Sequence, residues 1–347
     1  MNKDLYILTG NNKFFGQARK PWVSIDYDEM ESILKNYGFN IHQCEYHEVI
    51  NKSIEIKDSL VFYSFSQRAE IRRYLQDILN YLSQFNNTFI PNLELLKCHE
   101  NKGYQELYKR KLDIESLDSF YFSNFNDLKH YNFDYPIVLK TVEGSNGKGV
   151  FLINSKSDLV NKIRKIEKVG LFESIDLIRR KYFRKNKTYK EYPKYNNKDD
   201  YLQYREYLAK NKRFILQKYV PNLMWDYRIL VIFDRYYITK RHVGDDGFRA
   251  SGAKRPDFDF MPDDKILNYA KQLYIKFDTP YFSIDIAYDE MNCYLLEFQA
   301  LHFGPNWFLK TSGFYTHKNN NWNFNKKKPS IENDLAYGLI SYINNKV

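Results

Sequence analysis

The sequence has few cysteines and no long hydrophobic run. Its 347 residues include 3 cysteines, Cys44, Cys98 and Cys293, which lie far apart and form no CxxC pair. Isolated cysteines in odd number give neither a disulfide framework nor a structural zinc motif. No apolar stretch approaches the roughly 18 to 20 residues that cross a bilayer, and the first residues show no signal-peptide pattern. We therefore expect a cytoplasmic protein without a membrane partner.

Internal repeats, low-complexity tracts and the GxxxxGK[ST] signature of a P-loop are also missing. Aromatic residues, in contrast, are abundant: 31 Tyr and 26 Phe bring the aromatic fraction to 18%, and 43% of all residues are hydrophobic. A chain of this composition folds around a core and is not disordered. At about 150 residues per domain, its length predicts two or three lobes.

Positive charge is concentrated in one segment. The formal net charge is +10, and residues 179–212 contain 12 Lys or Arg against 4 Asp or Glu, a net +8. Seven Tyr lie among these charges, so the segment could bind a nucleic acid or another anionic polymer. The rest of the chain is nearly neutral and has no nucleic-acid motif, so we do not expect nucleic acid as the main partner. We interpret residues 170–212 as an insertion that docks an acidic substrate or partner; a solvated segment that only aids solubility is the alternative.

Strand and helix patterns alternate in the first part of the chain. Residues 5–9 are a short β-prone run, and residues 26–37 have helical spacing and end before Gly38. A second strand is predicted over 59–66, followed by an amphipathic helix over 68–85. This alternation predicts a parallel sheet and an α/β fold.

The later chain has a different pattern. Residues 136–154 indicate a strand, a glycine-rich turn and a strand, which form a hairpin-like flap. Helical spacing is found in 155–168 and 263–277. Strand-like runs occupy 213–220, 227–233, 235–243, 283–289 and 293–299.

Two constellations carry chemistry. The first is Lys140 followed by the glycine-rich run 144–149, because glycine lets a backbone approach phosphate and lysine supplies charge. The second is Asp285 with Glu297 and Gln299, whose oxygens suit a hard cation such as Mg²⁺. In isolation, an ordinary hairpin turn explains the first equally well, and acids facing water explain the second.

Taken together, five ordered motifs resemble those of the ATP-grasp ligases, in particular the branch of glutamate ligases that modify a ribosomal protein. The motifs are KTVEGSNGKGVFLINS, ILQKYV, DYRILVI, KRHVGDDGFRASG and SIDIAYDEMNCYLLEFQ. The resemblance covers about residues 136–300, with a weaker similarity around Lys102. The resemblance implies an α/β ATP-grasp fold, in which an N-terminal parallel-sheet domain precedes two α+β lobes that clamp ATP. The expected divisions are 1–92, 93–220 and 221–347.

The resemblance also implies site residues. Those expected to bind ATP through its phosphates, adenine or ribose are Lys102, Lys140, Gly144, Ser145, Asn146, Gly147, Lys148, Gly149, Gln217, Lys218, Tyr219, Val220 and Asp226, the last reaching the ribose. Those expected near the transferred phosphate and the acceptor are Arg241 and Arg249. Those expected to hold Mg²⁺, with Mn²⁺ as an alternative, are Asp285, Glu297 and Gln299.

This sequence departs from the family pattern in three places. Gln299 replaces the usual Asn and moves the amide oxygen by about one methylene. The basic insertion precedes ILQKYV, and the tail after Phe303 replaces a small-residue turn.

Other residues are candidates for substrate contact. Gln17, Arg19 and Trp22 follow the first strand, where parallel sheets bind ligands, although an ordinary surface loop explains them too. His302 follows the metal motif and is either a substrate contact or a packing residue.

The implied activity is an ATP-dependent ligase that activates a carboxylate as an acylphosphate and couples it to an amine or another nucleophile. An amino acid, a peptide or an acidic sugar of a surface polysaccharide could be the substrate. The alternatives are a kinase-like phosphoryl transferase and a noncatalytic protein that binds nucleotide or an anionic polymer.

Overall fold

The structure is a computed structural model that describes residues 3–18, 20–65, 67–144, 147, 149–166, 170–183, 197–208, 213–245, 247–250 and 255–346. The chain divides into two compact units, Met1–Leu117 with Val220–Val347 and Asp118–Tyr219. The expected division into three parts at residues 92 and 220 stays a prediction.

The first unit begins with a parallel sheet, as the sequence predicted. Its elements are β1 (Lys3–Thr9), α1 (Tyr27–Asn36), β2 (Phe39–Glu45), α2 (Tyr46–Asn51), β3 (Leu60–Tyr63), α3 (Ala69–Leu82), β4 (Thr88–Ile90), α4 (Leu93–Cys98) and α5 (Lys102–Lys111). The strand order is β2-β1-β3-β4, and every neighbouring pair is parallel. Leu5, Ile7 and Leu8 of β1 are fully buried, which is typical of a strand covered on both faces.

In its described residues, the second unit has an antiparallel sheet and three α-helices. Its elements are β5 (Ser119–Phe122), β6 (Ile137–Thr141), β7 (Val150–Ile153), α6 (Lys156–Ile166), α7 (Leu171–Phe183), α8 (Asn197–Leu208) and β8 (Phe214–Lys218). The strand order is β5-β8-β6-β7. Leu139 and Leu216 of the sheet pack with Ile163 of α6 in its core. Two helices, α7 and α8, lie within the range predicted as an insertion.

The remainder of the first unit carries the largest sheet. Its elements are β9 (Trp225–Ile232), β10 (Arg235–His242), β11 (Pro256–Asp257), α9 (Asp264–Phe277), β12 (Tyr281–Tyr288), β13 (Cys293–Gln299), β14 (Gly313–Lys318), β15 (Asn321–Lys326) and α10 (Ile331–Lys346). The strand order is β13-β12-β9-β10-β14-β15, with β11 paired to β10.

Side chains alternate between the two faces of this sheet. Ile284 and Ile286 of β12 belong to the core that includes Leu267 of α9. Leu230 of β9 lies on the opposite face and packs in the core that includes Leu339 of α10. The face that carries Leu230 becomes polar toward Arg228 and Asp226 of the same strand. A charged region therefore lies beside the apolar core on this face.

Every strand and helix predicted above has a counterpart in the structure, with boundaries shifted by a few residues. The elements without a prediction include β2, β4, β5, β14, β15 and α10. All three cysteines are free. Within the described residues, no helix has the length and apolar character that crossing a membrane requires.

Candidate nucleotide and metal site

Charged side chains meet on one face of the large sheet. In the antiparallel register, Asp285 of β12 lies opposite Glu297 of β13 on one side and opposite Arg228 of β9 on the other. Asp226 of β9 lies opposite Arg241 of β10. Because cross-strand partners share a face, the five side chains form one continuous charged patch.

Two of these pairs are bidentate. Arg228 donates through Nε and Nη2 to the two carboxylate oxygens of Asp285, both at 2.7 Å. Arg241 donates in the same way to Asp226, both at 2.6 Å, and its Nη2 lies 2.9 Å from Asp285 Oδ2. The planar guanidinium matches a carboxylate in this geometry. The two arginines therefore fix the position of both acids.

Burial and charge act in opposite directions on Asp285, which is 5% exposed. Burial opposes ionisation, but the attraction of Arg228 and Arg241 outweighs it and holds the pKa of Asp285 below its usual range. Asp285 is therefore an anion at neutral pH. A buried ion network of this kind is costly to disrupt on one side only, because the remaining charge has no compensation.

Lys102 approaches the same patch from α5. The side chain of Asn101 accepts a hydrogen bond from the Tyr104 backbone and caps the helix, so Lys102 is its first residue. Its Nζ lies 3.4 Å from Glu297 Oε1. The Lys102 side chain is largely buried, and that of Glu297 is about one quarter exposed, at 26%.

Polar residues hold α5 against β13. Buried Gln105 donates through Nε2 to the Phe298 carbonyl at 3.0 Å, and its Oε1 accepts from the Phe298 N–H at 3.3 Å. Lys109 Nζ reaches the Leu295 carbonyl at 3.3 Å and pairs with Glu106 at 2.7 Å. These contacts pair the backbone of Phe298 and the carbonyl of Leu295 in β13, and they fix the helix that carries Lys102.

The residues expected to hold a metal are near one another. Asp285 and Gln299 lie on neighbouring strands, with Ser283 opposite Gln299, and Glu297 is directly opposite Asp285. Two carboxylates and an amide form an all-oxygen donor set, which suits Mg²⁺ supported by nucleotide phosphates. Within the described ranges, no cluster of three or more His, Cys, Asp or Glu side chains could hold a metal ion. Both Asp285 oxygens already accept hydrogen bonds from Arg228, and Oδ2 also pairs with Arg241, so metal binding by Asp285 stays a prediction. The fit also requires the Gln299 oxygen and oxygens that the protein does not supply.

In the second unit, Lys140 is the penultimate residue of β6 and lies beside β8. Its Nζ donates to Gln217 Oε1 at 2.7 Å, and Gln217 Nε2 donates to Ser119 Oγ at 3.1 Å. Gln217 is 2% exposed, so it is a fixed acceptor for the Lys140 ammonium.

The glycine-rich run connects β6 to β7. Gly144, Gly147 and Gly149 all have positive φ, and a Cβ on Gly149 would lie 2.0 Å from Thr141 Oγ1. Glycine is therefore required at Gly149 for both conformation and space. Ser145, Asn146 and Lys148 lie outside the described residues. The hairpin is confirmed, and its role as a phosphate flap stays a prediction.

The other expected ATP-binding residues have mixed environments. Lys218 is exposed; Tyr219 and Val220 are half-buried after β8. Asp226 is 6% exposed, and both of its carboxylate oxygens accept hydrogen bonds from Arg241. Its interaction in the structure is therefore to hold the Arg241 side chain in place. Contact with ribose stays a prediction. Arg249 is half-buried, and its carbonyl accepts from Gly244 N at 2.9 Å.

The candidates for substrate contact near the first strand differ in exposure. Gln17 is fully buried, and its Oε1 accepts from Phe303 N at 3.2 Å, whereas Trp22 is 70% exposed. Arg19 lies outside the described part of the chain. His302 is buried, and burial lowers its pKa to about 4. The structure thus gives Gln17 and His302 places in the interior.

Sequence reasoning missed Arg228, Gln105 and Lys109. Arg228 was recognisable because it lies two residues after Asp226 in a strand-like run, which puts both side chains on one face. Gln105 and Lys109 follow Lys102 at helical spacing, but nothing in the sequence indicates that their side chains meet the backbone of β13.

Comparison with known proteins gives the fold. No protein-family model matches the sequence, and no curated relative matches it. Among solved structures, the ADP complex of purK, an N5-carboxyaminoimidazole ribonucleotide synthetase, is similar with a TM-score of 0.52 and 15% identity, over 90% of this chain and 74% of that one. D-cycloserine synthetase DcsG has a TM-score of 0.50 and 11% identity, over 97% of this chain and 99% of that one. At these identities the likeness concerns the fold alone, and the chain has the ATP-grasp fold.

Proposed function

We propose that this protein is an ATP-dependent ligase that joins a carboxylate to an amine or another nucleophile through an acylphosphate. The observation that carries the proposal is the charged patch on the large sheet. There Asp285 and Glu297 are directly opposite each other on the adjacent strands β12 and β13. Lys102 Nζ lies 3.4 Å from Glu297, and Arg241 Nη2 lies 2.9 Å from Asp285. Paired anions flanked by fixed cations suit a polyanionic nucleotide with its metal.

Each residue has a distinct role in this proposal. Asp285, Glu297 and Gln299 would hold Mg²⁺, which when bound neutralises charge on the transferring phosphoryl group. Lys102 and Arg241 would neutralise phosphate oxygens. Arg241 is suited to this task because Asp226 holds it in place through two hydrogen bonds.

Lys140 would be the phosphate ligand of the second unit, oriented by Gln217. The glycines at 144, 147 and 149 would let the backbone of the same hairpin approach the phosphates. Gln217, Lys218, Tyr219 and Val220 would contact adenine.

The chemistry balances without a nucleophilic side chain. A carboxylate oxygen forms a bond to the γ-phosphorus of ATP while the bond to the β-phosphate oxygen breaks, and ADP leaves. The amine then forms a bond to the acyl carbon, the bond to the phosphate oxygen breaks, and phosphate leaves. The amine loses its proton to solvent.

The substrates we propose to test are amino acids, peptides and acidic sugars. Each candidate carboxylate is incubated with ATP, Mg²⁺ and a panel of amines, and ADP, phosphate and the coupled product are measured by mass spectrometry. With an ¹⁸O-labelled carboxylate, the acylphosphate route transfers one label to the released phosphate. A stable phosphorylated product without phosphate release would instead identify a kinase-like transferase.

A further inference from the structure

Helix α7 exposes an apolar stripe along its length. Its members are Phe172, Ile175, Ile178, Tyr182 and Phe183, which are 54% to 86% exposed. At 3.6 residues per turn they fall within an arc of about 140°, along a helix about 20 Å long. Single exposed apolar side chains are common on protein surfaces, but five aligned ones mark an interaction site.

The exposed charges of α7 are all basic. Among its described side chains, the other exposed ones are Arg179 and Lys181; at about 100° per residue, Arg179 lies within the arc of the stripe and Lys181 lies about 60° beyond its edge. The acids Glu173 and Asp176 are half-buried. Asp176 pairs with Arg179 Nη2 at 2.7 Å and accepts from Tyr204 Oη of α8 at 2.6 Å. The helix therefore presents apolar groups and positive charge outward, while its acids are half-buried.

Helix α8 covers the other side of α7. Leu177 is buried, and the Arg180 guanidinium stacks on the Tyr204 ring with its carbon 3.4 Å from the ring centroid. These contacts fix the rotation of α7 about its own axis. The stripe is accordingly a defined outer face of a helix pair.

We propose that α7 docks onto an anionic lipid surface as an interfacial amphipathic helix. An apolar face that enters the boundary between headgroups and acyl chains, flanked by Lys and Arg that meet anionic headgroups, is the physical signature of such helices. The net charge of +8 over residues 179–212 supplies further attraction. The proposal departs from the expectation of no membrane partner. It also differs from spanning a membrane, for which no described helix is suited.

The apolar stripe separates this proposal from docking of a soluble acidic substrate. Capture of a small polyanion requires positive charge and hydrogen-bond donors, and exposed Phe and Ile side chains contribute nothing to it. An anionic lipid surface can bind the apolar side chains and the positive charge of α7 at the same time. The inference is independent of the ligase reaction, because no residue of the charged patch takes part in it.

Vesicle sedimentation of the full-length protein tests the proposal. We expect binding to vesicles of phosphatidylcholine mixed with phosphatidylglycerol, weak binding to phosphatidylcholine alone, and weakening by salt. The triple variant Phe172→Ser, Ile175→Ser, Ile178→Ser should reduce the partition coefficient at least about tenfold. Arg179→Gln with Lys181→Gln should also reduce it about tenfold at low salt.

The matched control is Tyr74→Ser with Tyr81→Ser, which removes two exposed aromatic side chains of α3 and should leave vesicle binding unchanged. Thermal unfolding of each variant verifies that it is folded. Absence of vesicle binding by the wild type would overturn the proposal, as would binding that ignores lipid charge. Self-association in sedimentation velocity that the triple variant abolishes, without vesicle binding, would instead assign the stripe to a second copy of the chain.

Discussion

Two buried histidines should make the stability of the protein depend on pH. Burial lowers the pKa of His99 to about 3 and that of His302 to about 4. In the unfolded chain both should have a pKa near 6.5. The folded state therefore excludes protons that the unfolded state binds. Their contribution to stability is complete above about pH 6.5 and is lost as the pH falls through about 4 for His302 and about 3 for His99.

The magnitude follows from the number of protons. Near pH 5 the unfolded chain holds about 1.8 more protons on these rings than the folded chain, so they contribute about 2.5 kcal/mol per pH unit to the slope of the unfolding free energy. Replacing both with Gln should remove that contribution from the slope, and each single replacement should remove half. The comparison of slopes holds even if the substitutions lower the absolute stability.

Urea unfolding followed by circular dichroism at several pH values from about 5 to 7 measures these slopes. Thr239→Val changes a fully buried side chain that does not titrate, so it should leave the slope as in the wild type and serves as the control. A double variant with the full wild-type slope would refute the reasoning, because it would mean that both rings are protonated in the folded protein.

Three further predictions concern the site. Asp226→Ala leaves buried Arg241 without its bidentate partner and should lower the unfolding free energy, measured by urea unfolding, by about 3 to 5 kcal/mol. The control is Asp28→Ala, which breaks the exposed pair with Lys13 and should lower it by less than about 1 kcal/mol. Gln299→Asn should retain ATP turnover and Gln299→Leu should lose it; normal turnover of the leucine variant with Mg²⁺ would remove Gln299 from the metal site. Gln105→Leu leaves the N–H and carbonyl of Phe298 unpaired, which should lower the unfolding free energy by about 1 to 3 kcal/mol for each group and lower the thermal midpoint. An unchanged midpoint would show that the β13 backbone does not depend on Gln105.

Periodicity and motif order predicted much of the fold. The alternation of strand and helix patterns before residue 85 predicted the parallel sheet, and the strand-like runs after 213 match β8, β9, β10, β12 and β13. These segments are buried in the fold and consist mostly of apolar residues, so their hydrophobic pattern indicates a strand or a helix. In contrast, β15 has mostly polar residues, NWNFNK, and is largely exposed, which leaves little periodicity to detect.

Proximity within the site was only partly predictable. The two-residue spacing of Glu297 and Gln299 placed them on one strand face, but the register that puts Asp285 opposite both Glu297 and Arg228 depends on pairing between distant segments. The interaction of Gln105 with Phe298 likewise joins residues 193 positions apart. Such contacts result from tertiary packing, which local patterns do not encode.

The central claim is that ATP turnover depends on the charged patch and on Lys140. The most direct measurement is Mg²⁺-dependent formation of ADP and phosphate by the wild type, by Glu297→Ala and by Lys140→Ala, with the substrate pair identified in the screen. We predict equal amounts of ADP, phosphate and coupled product from the wild type, and a rate lower by a factor of about 10² to 10³ in each folded variant. Wild-type turnover in both variants would contradict the account.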